Sequence, residues 1–137
     1  MTTYADVLAR LVTARRFGVV LGLERMRALL DKLGSPDKHL GRVVHVGGTN
    51  GKGSTCAYID AMLRASGYKT ARYTSPHIHR FNERIVVNGV EASDEQLVAA
   101  FEAVELARTA CGTASQSPQG LALTFFEYTT LAAFHIF

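Results

Sequence analysis

The segment Gly47-Gly48-Thr49-Asn50-Gly51-Lys52-Gly53-Ser54 constrains the fold more than any other part of the chain. Four glycines in so short a stretch exclude a regular element there, yet both flanks have regular signatures. Before it, Arg42-Val43-Val44-His45-Val46 is a short β-branched run that reads as a buried strand. After it, Ser54 to Ser66 is helix-compatible with Ile59, Met62 and Leu63 turned inward, and Gly67 closes the helix. Lys69 to Thr74 reads as a second strand, so residues 42–74 suggest a right-handed βαβ unit with parallel strands. A glycine-rich turn between a strand and a helix is an anion site, because backbone N–H groups and the helix dipole converge on it. Phosphate is the natural guest: the glycines let the backbone curl around its oxygens, Lys52 supplies a point charge and the Ser54 hydroxyl can face Mg²⁺. The strict G-x-x-x-x-G-K-[ST] pattern is not met. Its first glycine would fall at Val46, and Gly53 separates Lys52 from the hydroxyl. A glycine turn with no ligand is disfavoured, since so many glycines cost conformational entropy.

Around this core, two helices lead the chain. Residues 4–16 carry Val7, Leu8, Leu11 and Val12, and residues 24–33 carry Met26, Leu29, Leu30 and Leu33, both at helical spacing. Gly34 with Pro36 ends the second, and residues 35–41 form a link. Arg84 to Val87, then Asn88-Gly89 and Val90, reads as a hairpin, because Asn-Gly suits a type I′ turn. Ser93-Asp94-Glu95-Gln96 has the form of a capping box and opens a helix with Leu97, Val98, Phe101 and Val104 on one side, ending near Cys111-Gly112. Residues 113–120 read as loop. Thr124-Phe125-Phe126-Glu127 repeats the capping-box pattern, and the helix after it reaches Phe137 without a stop signal, which suggests part of a longer protein.

Composition narrows the functional classes. A chain of 137 residues buries roughly two-thirds of its open surface, enough for one core. Its 47% hydrophobic and 20% charged residues are those of a soluble globular domain rather than a disordered one. The net charge of +3 is modest and no basic stripe is interleaved with aromatics, so nucleic acid is not an expected partner. No apolar run is long enough to span a membrane, and the polar start Met1 to Asp6 is not a secretory signal, so the expected compartment is the cytoplasm. Cys56 and Cys111 are too few for a disulfide framework and read as plain helix residues.

Val46 to Ser54, followed by Tyr73-Thr74-Ser75-Pro76-His77 and by Arg80-Phe81-Asn82-Glu83-Arg84-Ile85, resembles the folylpolyglutamate synthase and dihydrofolate synthase family of the Mur ligase superfamily. Gly22-Leu23-Glu24-Arg25-Met26 and Leu123-Thr124-Phe125-Phe126-Glu127 are also similar to that family's pattern, so the likeness covers residues 18–137. It implies a cytoplasmic ligase that uses ATP and Mg²⁺ to phosphorylate a folate or dihydropteroate carboxylate, which L-glutamate then attacks to form an amide. It implies an α/β fold: a P-loop-type, mainly parallel sheet with flanking helices, in a truncated Mur-ligase-like ATP-binding domain. Residues 1–41 would be leading helices and link, residues 42–137 an incomplete P-loop core, and the C-terminal domain absent. A monomer is expected for the full-length enzyme.

Carried over by residue, the resemblance assigns ATP binding to Thr49, Asn50, Gly51, Lys52, Gly53 and Ser54, with Lys52 the catalytic cation. Ser75 corresponds to a Mg²⁺ ligand, joining Ser54. Val20, Leu21, Gly22 and Thr124 fall on pterin-contacting stretches, although Val20 stands where a polar residue is expected, and Phe126 is a candidate pterin neighbour within an otherwise core aromatic set. The family's acidic metal ligand, second metal-binding histidine and modified lysine find no match, so this stretch alone is expected to be inactive. The alternatives are a nucleotide-binding module without ligase chemistry and a Mur-type ligase of peptidoglycan precursors. Thr74 to His77 and Arg80 to Arg84 argue against the first, Gly53 and Asn82-Glu83-Arg84 against the second. His77-x-His79 could suit zinc but lacks a third ligand in sequence, and Glu83 with Arg80 and Arg84 reads as a loop ion pair rather than an acid and base.

Overall fold

The computed structural model describes residues 2–14, 22–111 and 122–137, which form two compact units. The first comprises residues 1–40 and 94–136, the second residues 41–93 with Phe137.

The first unit is helical: α1 (Tyr4–Ala14), α2 (Glu24–Lys32), a 3₁₀ turn (Pro36–His39), α4 (Asp94–Ala110) and α5 (Phe125–Ile136). On α4 the buried residues Leu97, Ala100, Phe101, Val104 and Ala107 recur at the i, i+3, i+4 spacing that puts them on one face. That face packs on α5, where Leu131, Ala132 and Ala133 have no exposed surface, and both helices receive Val7 and Leu11 of α1 and Leu29 of α2. Phe101 stacks on Tyr128 with centroids 5.3 Å apart. The Tyr128 hydroxyl donates to Glu105, which also accepts from Arg108, so a partly buried polar contact joins α4 and α5. Burial and that hydrogen bond push the Tyr128 phenol well above its ordinary range. The stop at Gly34 is as expected: its φ of +84° favours glycine, and the Gly34 and Ser35 N–H groups return to Asp31 and Leu30.

The second unit holds α3 (Lys52–Ala65), β1 (Ala71–Tyr73), a 3₁₀ turn (Phe81–Arg84), β2 (Ile85–Val87) and β3 (Val90–Glu91). The expected parallel sheet is not what the described residues form. The sheet has the order β1-β2-β3 and is antiparallel throughout, with Arg72 opposite Val86 and Val87 opposite Val90. Arg42 to Val46 is not a strand, and Val43 and Val44 are 73% and 62% exposed. The β-branched composition is there, but a strand exists only where a neighbour completes its ladder, and no described strand pairs with this run. The βαβ reading fails with it. Met62 and Leu63, expected inward on α3, are 60% and 38% exposed, because spacing along a helix does not say which face its neighbours will cover. The Asn88-Gly89 hairpin forms as expected, with φ of +50° and +82°.

Asp60, buried on α3, ties that helix to the sheet. It accepts the Thr70 hydroxyl at 2.5 Å and Arg64 Nε at 3.3 Å, while Arg72 Nε on β1 lies 3.9 Å away. Among the described residues no helix is long and apolar enough to cross a membrane. Replacing Leu131 with Ala removes a fully buried side chain between α4 and α5 and should cost about 2–5 kcal/mol of stability, measured by urea unfolding; a loss below about 1 kcal/mol would show that α5 is not part of the core.

Candidate functional site

The glycine-rich segment is extended or bent backbone leading directly into α3. Gly48 and Gly51 have φ of +142° and +76°, a region where a side chain is strained, and Gly51 is the N-cap of α3. No side chain caps this helix, so the first-turn N–H groups of Lys52, Gly53 and Ser54 have neither an intrahelical acceptor nor a capping oxygen. Thr55 is the first residue whose N–H returns to the loop, at Gly51 O. Lys52 folds back over the loop, its Nζ donating to the Gly48 carbonyl at 2.6 Å and the Thr49 carbonyl at 3.2 Å. The ammonium is thus held within the curl of the backbone, next to a positive helix end. An anion placed there would meet N–H donors and a cation together.

Ser54 lies exposed in the first turn of α3, and Ser75 lies exposed two residues past β1, its peptide to Pro76 being cis. Neither hydroxyl is hydrogen-bonded to a described residue. Two neutral oxygens suit a hard cation such as Mg²⁺ only if further oxygens, such as nucleotide phosphates, complete the shell and bring the negative charge. Among the described residues no group of three or more His, Cys, Asp or Glu forms a metal cluster of its own.

The loop from Ser75 to Arg80 is shaped by Glu83. Its carboxylate accepts the N–H groups of Ile78 at 2.8 Å and of His79 and Arg80 at 2.7 Å each. These three donors favour the ionised form and hold the Glu83 carboxyl down at about 2. The expected ion pair with its neighbours is therefore not the main use of Glu83. Arg84 is buried, sits 5.6 Å from the Phe81 ring centroid and donates from Nε to His77 Nδ1 at 2.7 Å. Since an arginine can only donate, Nδ1 is the acceptor and the proton of a neutral His77 sits on Nε2, which removes Nδ1 as a metal ligand.

The remaining sequence-predicted residues lie on the helical unit. Gly22 has φ of +120° and precedes α2; Thr124 is the N-cap residue of α5, and Phe126 is 65% exposed rather than core. Val20 and Leu21, like the loop expected at 113–120, lie outside the described residues. The capping box at Thr124 forms as expected: Thr124 N–H and Oγ1 donate to Glu127 Oε2 at 2.8 Å each, and Glu127 N–H donates to Thr124 Oγ1 at 3.2 Å. The sequence reasoning missed Arg25, which has no local signal, and the roles of Glu83 and Arg84 in shaping the loop.

No protein-family model matches the chain. Among curated proteins it is 49% identical over 98 residues to the dihydrofolate synthase/folylpolyglutamate synthase of Bacillus subtilis, which covers 72% of this chain and 23% of that protein. It is 40% identical over 117 residues to the Escherichia coli protein of the same name, covering 85% of this chain and 25% of that one. The folylpolyglutamate synthase of Lacticaseibacillus casei is 37% identical over 134 residues, 98% of this chain and 30% of that protein. Among solved structures, E. coli FolC in complex with DHPP and ADP superposes with a TM-score of 0.83 at 36% identity, covering 98% of this chain and 30% of that chain. The folylpolyglutamate synthetase of Lactobacillus casei gives a TM-score of 0.82 at 36% identity, with 98% and 33% covered. Over this segment the chain belongs to the folylpolyglutamate synthase/dihydrofolate synthase family. It spans about a quarter to a third of the length of these relatives.

The clamp on Glu83 has a definite pH signature. A carboxyl lowered from 4.5 to about 2 contributes its ordering of the loop fully above pH 4.5 and loses it as pH falls through about 2. The protection of the Ile78, His79 and Arg80 amides, taken relative to their intrinsic exchange rate at each pH, should therefore be high at pH 5 and fall toward pH 2. Glu83→Gln, which leaves one carbonyl oxygen in place of two carboxylate oxygens, should release at least one of these amides at neutral pH. Unchanged protection in the variant would contradict the clamp.

Proposed function

We propose that this chain is the N-terminal part of the Mur-ligase-like ATP-binding domain of a ligase that adds L-glutamate to the carboxylate of folate or dihydropteroate. The observation that carries this reading is the uncapped start of α3 beneath the curl of Gly47 to Ser54, with Lys52 Nζ held inside the curl. The relatives support it. FolC of E. coli is described in complex with DHPP and ADP, and the Yersinia pestis bifunctional enzyme, 33% identical with a TM-score of 0.81, in complex with AMPPNP and a Mn ion.

In this reading the N–H groups of Gly51 to Ser54 hold the nucleotide phosphates, with Thr49 and Asn50 completing the loop. Lys52 turns from the Gly48 and Thr49 carbonyls onto the outer phosphates, exchanging neutral acceptors for charged ones. A substrate carboxylate oxygen attacks the γ-phosphorus of ATP, and the bond to the bridging oxygen breaks to release ADP and leave an acyl phosphate. The glutamate amine then adds to the carbonyl carbon, and the tetrahedral intermediate expels phosphate to give the amide. The first step brings anionic groups together, so the Lys52 cation is strongest where charge builds up. Ser54 and Ser75 would hold Mg²⁺, which when bound neutralises phosphate charge. The segments at Gly22 and at Thr124 to Phe126 would contact the pterin, with Phe126 offering an exposed ring.

Lys52→Ala in the intact protein should weaken ATP binding by about 1.5–3 kcal/mol, the size of a charge-assisted hydrogen bond. Calorimetry with a non-hydrolysable analogue measures it, and unchanged affinity would overturn the phosphate-loop assignment. Ser75→Ala should raise the Mg²⁺ concentration for half-maximal activity while leaving the melting temperature in place. A shifted melt with an unshifted titration would make Ser75 a turn residue instead.

A further inference from the structure

Arg25 connects the α2 end of the helical unit to the turn that opens α5, some hundred residues later in the chain. Its guanidinium forks: Nη1 donates to the Ala122 carbonyl at 3.1 Å and Nη2 to Glu127 Oε1 at 2.7 Å. The other carboxylate oxygen of Glu127 is taken by the Thr124 N–H and hydroxyl, and the same hydroxyl accepts the Glu127 N–H. The Glu127 side chain is only 8% exposed and that of Arg25 24%, so the pair is sheltered from water.

Two consequences follow. The Thr124 hydroxyl has spent its proton inside the fold, so this turn presents backbone and the exposed Phe126 ring, not a free hydroxyl donor. Capping α5 also needs only Thr124 and Glu127. The second arm of Arg25 reaches a carbonyl two residues before the cap, outside the helix, where it fixes the direction of the incoming strand of chain rather than the helix itself. A planar fork with two donors at set angles does this; a lysine ammonium can satisfy one of the two acceptors well but does not hold both in a fixed plane.

We propose that Arg25 and Glu127 are positioning residues that lock the Ala122–Phe126 turn against the start of α2, so that Phe126 and the backbone near Gly22 are preset for a flat aromatic ligand of the pterin class. This rests on the folate reading above. The pair touches no substrate in this account and acts through the turn.

The test compares wild type, Arg25→Lys, Arg25→Ala and Glu127→Gln in the intact protein. Calorimetric affinities for dihydropteroate and, separately, for a non-hydrolysable ATP analogue are measured beside thermal melts. Arg25→Lys should keep the melting temperature and nucleotide affinity near wild type while dihydropteroate binding weakens about tenfold, as expected if the turn holds its binding conformation only about a tenth of the time. Arg25→Ala and Glu127→Gln should weaken it at least as much. Wild-type dihydropteroate affinity in Arg25→Lys overturns the proposal, as does an equal loss of nucleotide affinity, which would mark a general structural effect. If wild type binds the ATP analogue but not dihydropteroate, the folate reading itself falls and takes this inference with it.

Discussion

The helix α3 begins on a glycine with no side-chain cap, and the candidate chemistry of the second unit depends on that constraint. A helix N-terminus concentrates N–H donors and partial positive charge, and proteins usually satisfy it with a Ser, Thr, Asp or Asn side chain. Here Gly51 has no side chain to offer, and Gly48 and Gly51 take backbone angles in which one would be strained. Lys52 adds a full charge to the same spot instead of neutralising it. The segment thus leaves its first-turn donors without a side-chain acceptor, the arrangement on which the proposed anion site rests.

Each unit carries its own set of candidate residues. The antiparallel hairpin unit carries Ser75 and the glycine-rich loop proposed to hold phosphate, with Asp60 tying α3 to Thr70 just before β1. The helical unit carries Gly22 and the Thr124 to Phe126 turn, set by a capping box and by the Arg25 fork. In both units a carboxylate shapes the functional backbone: Glu83 gathers three consecutive N–H groups of a loop, and Glu127 closes the start of a helix.

Local rules made much of this readable from sequence. The Asn88-Gly89 hairpin, the stops at Gly34 and Gly67 and the capping box at Thr124 depend on residues a few positions apart, and all formed. The strand expected at Arg42 to Val46 depends on a partner ladder, and its composition says nothing about whether that partner is present. The inward face expected on α3 depends on long-range packing in the same way, and Met62 and Leu63 stay 60% and 38% exposed. Glycine spacing and Lys52 pointed to the loop correctly as a strand-to-helix connection only on its helix side. Arg25 was invisible because its acceptors lie at positions 122 and 127, and no periodicity connects them to residue 25.

The central claim is that Gly47 to Ser54 receives nucleotide phosphates. A ¹⁵N-labelled sample titrated with a non-hydrolysable ATP analogue and Mg²⁺ tests it most directly, by following each backbone amide. The account predicts that the amides of Gly51, Lys52, Gly53 and Ser54 move most and saturate together, as phosphate oxygens replace water at the start of α3. Saturating shifts confined to other residues, with these four amides unmoved, would contradict it.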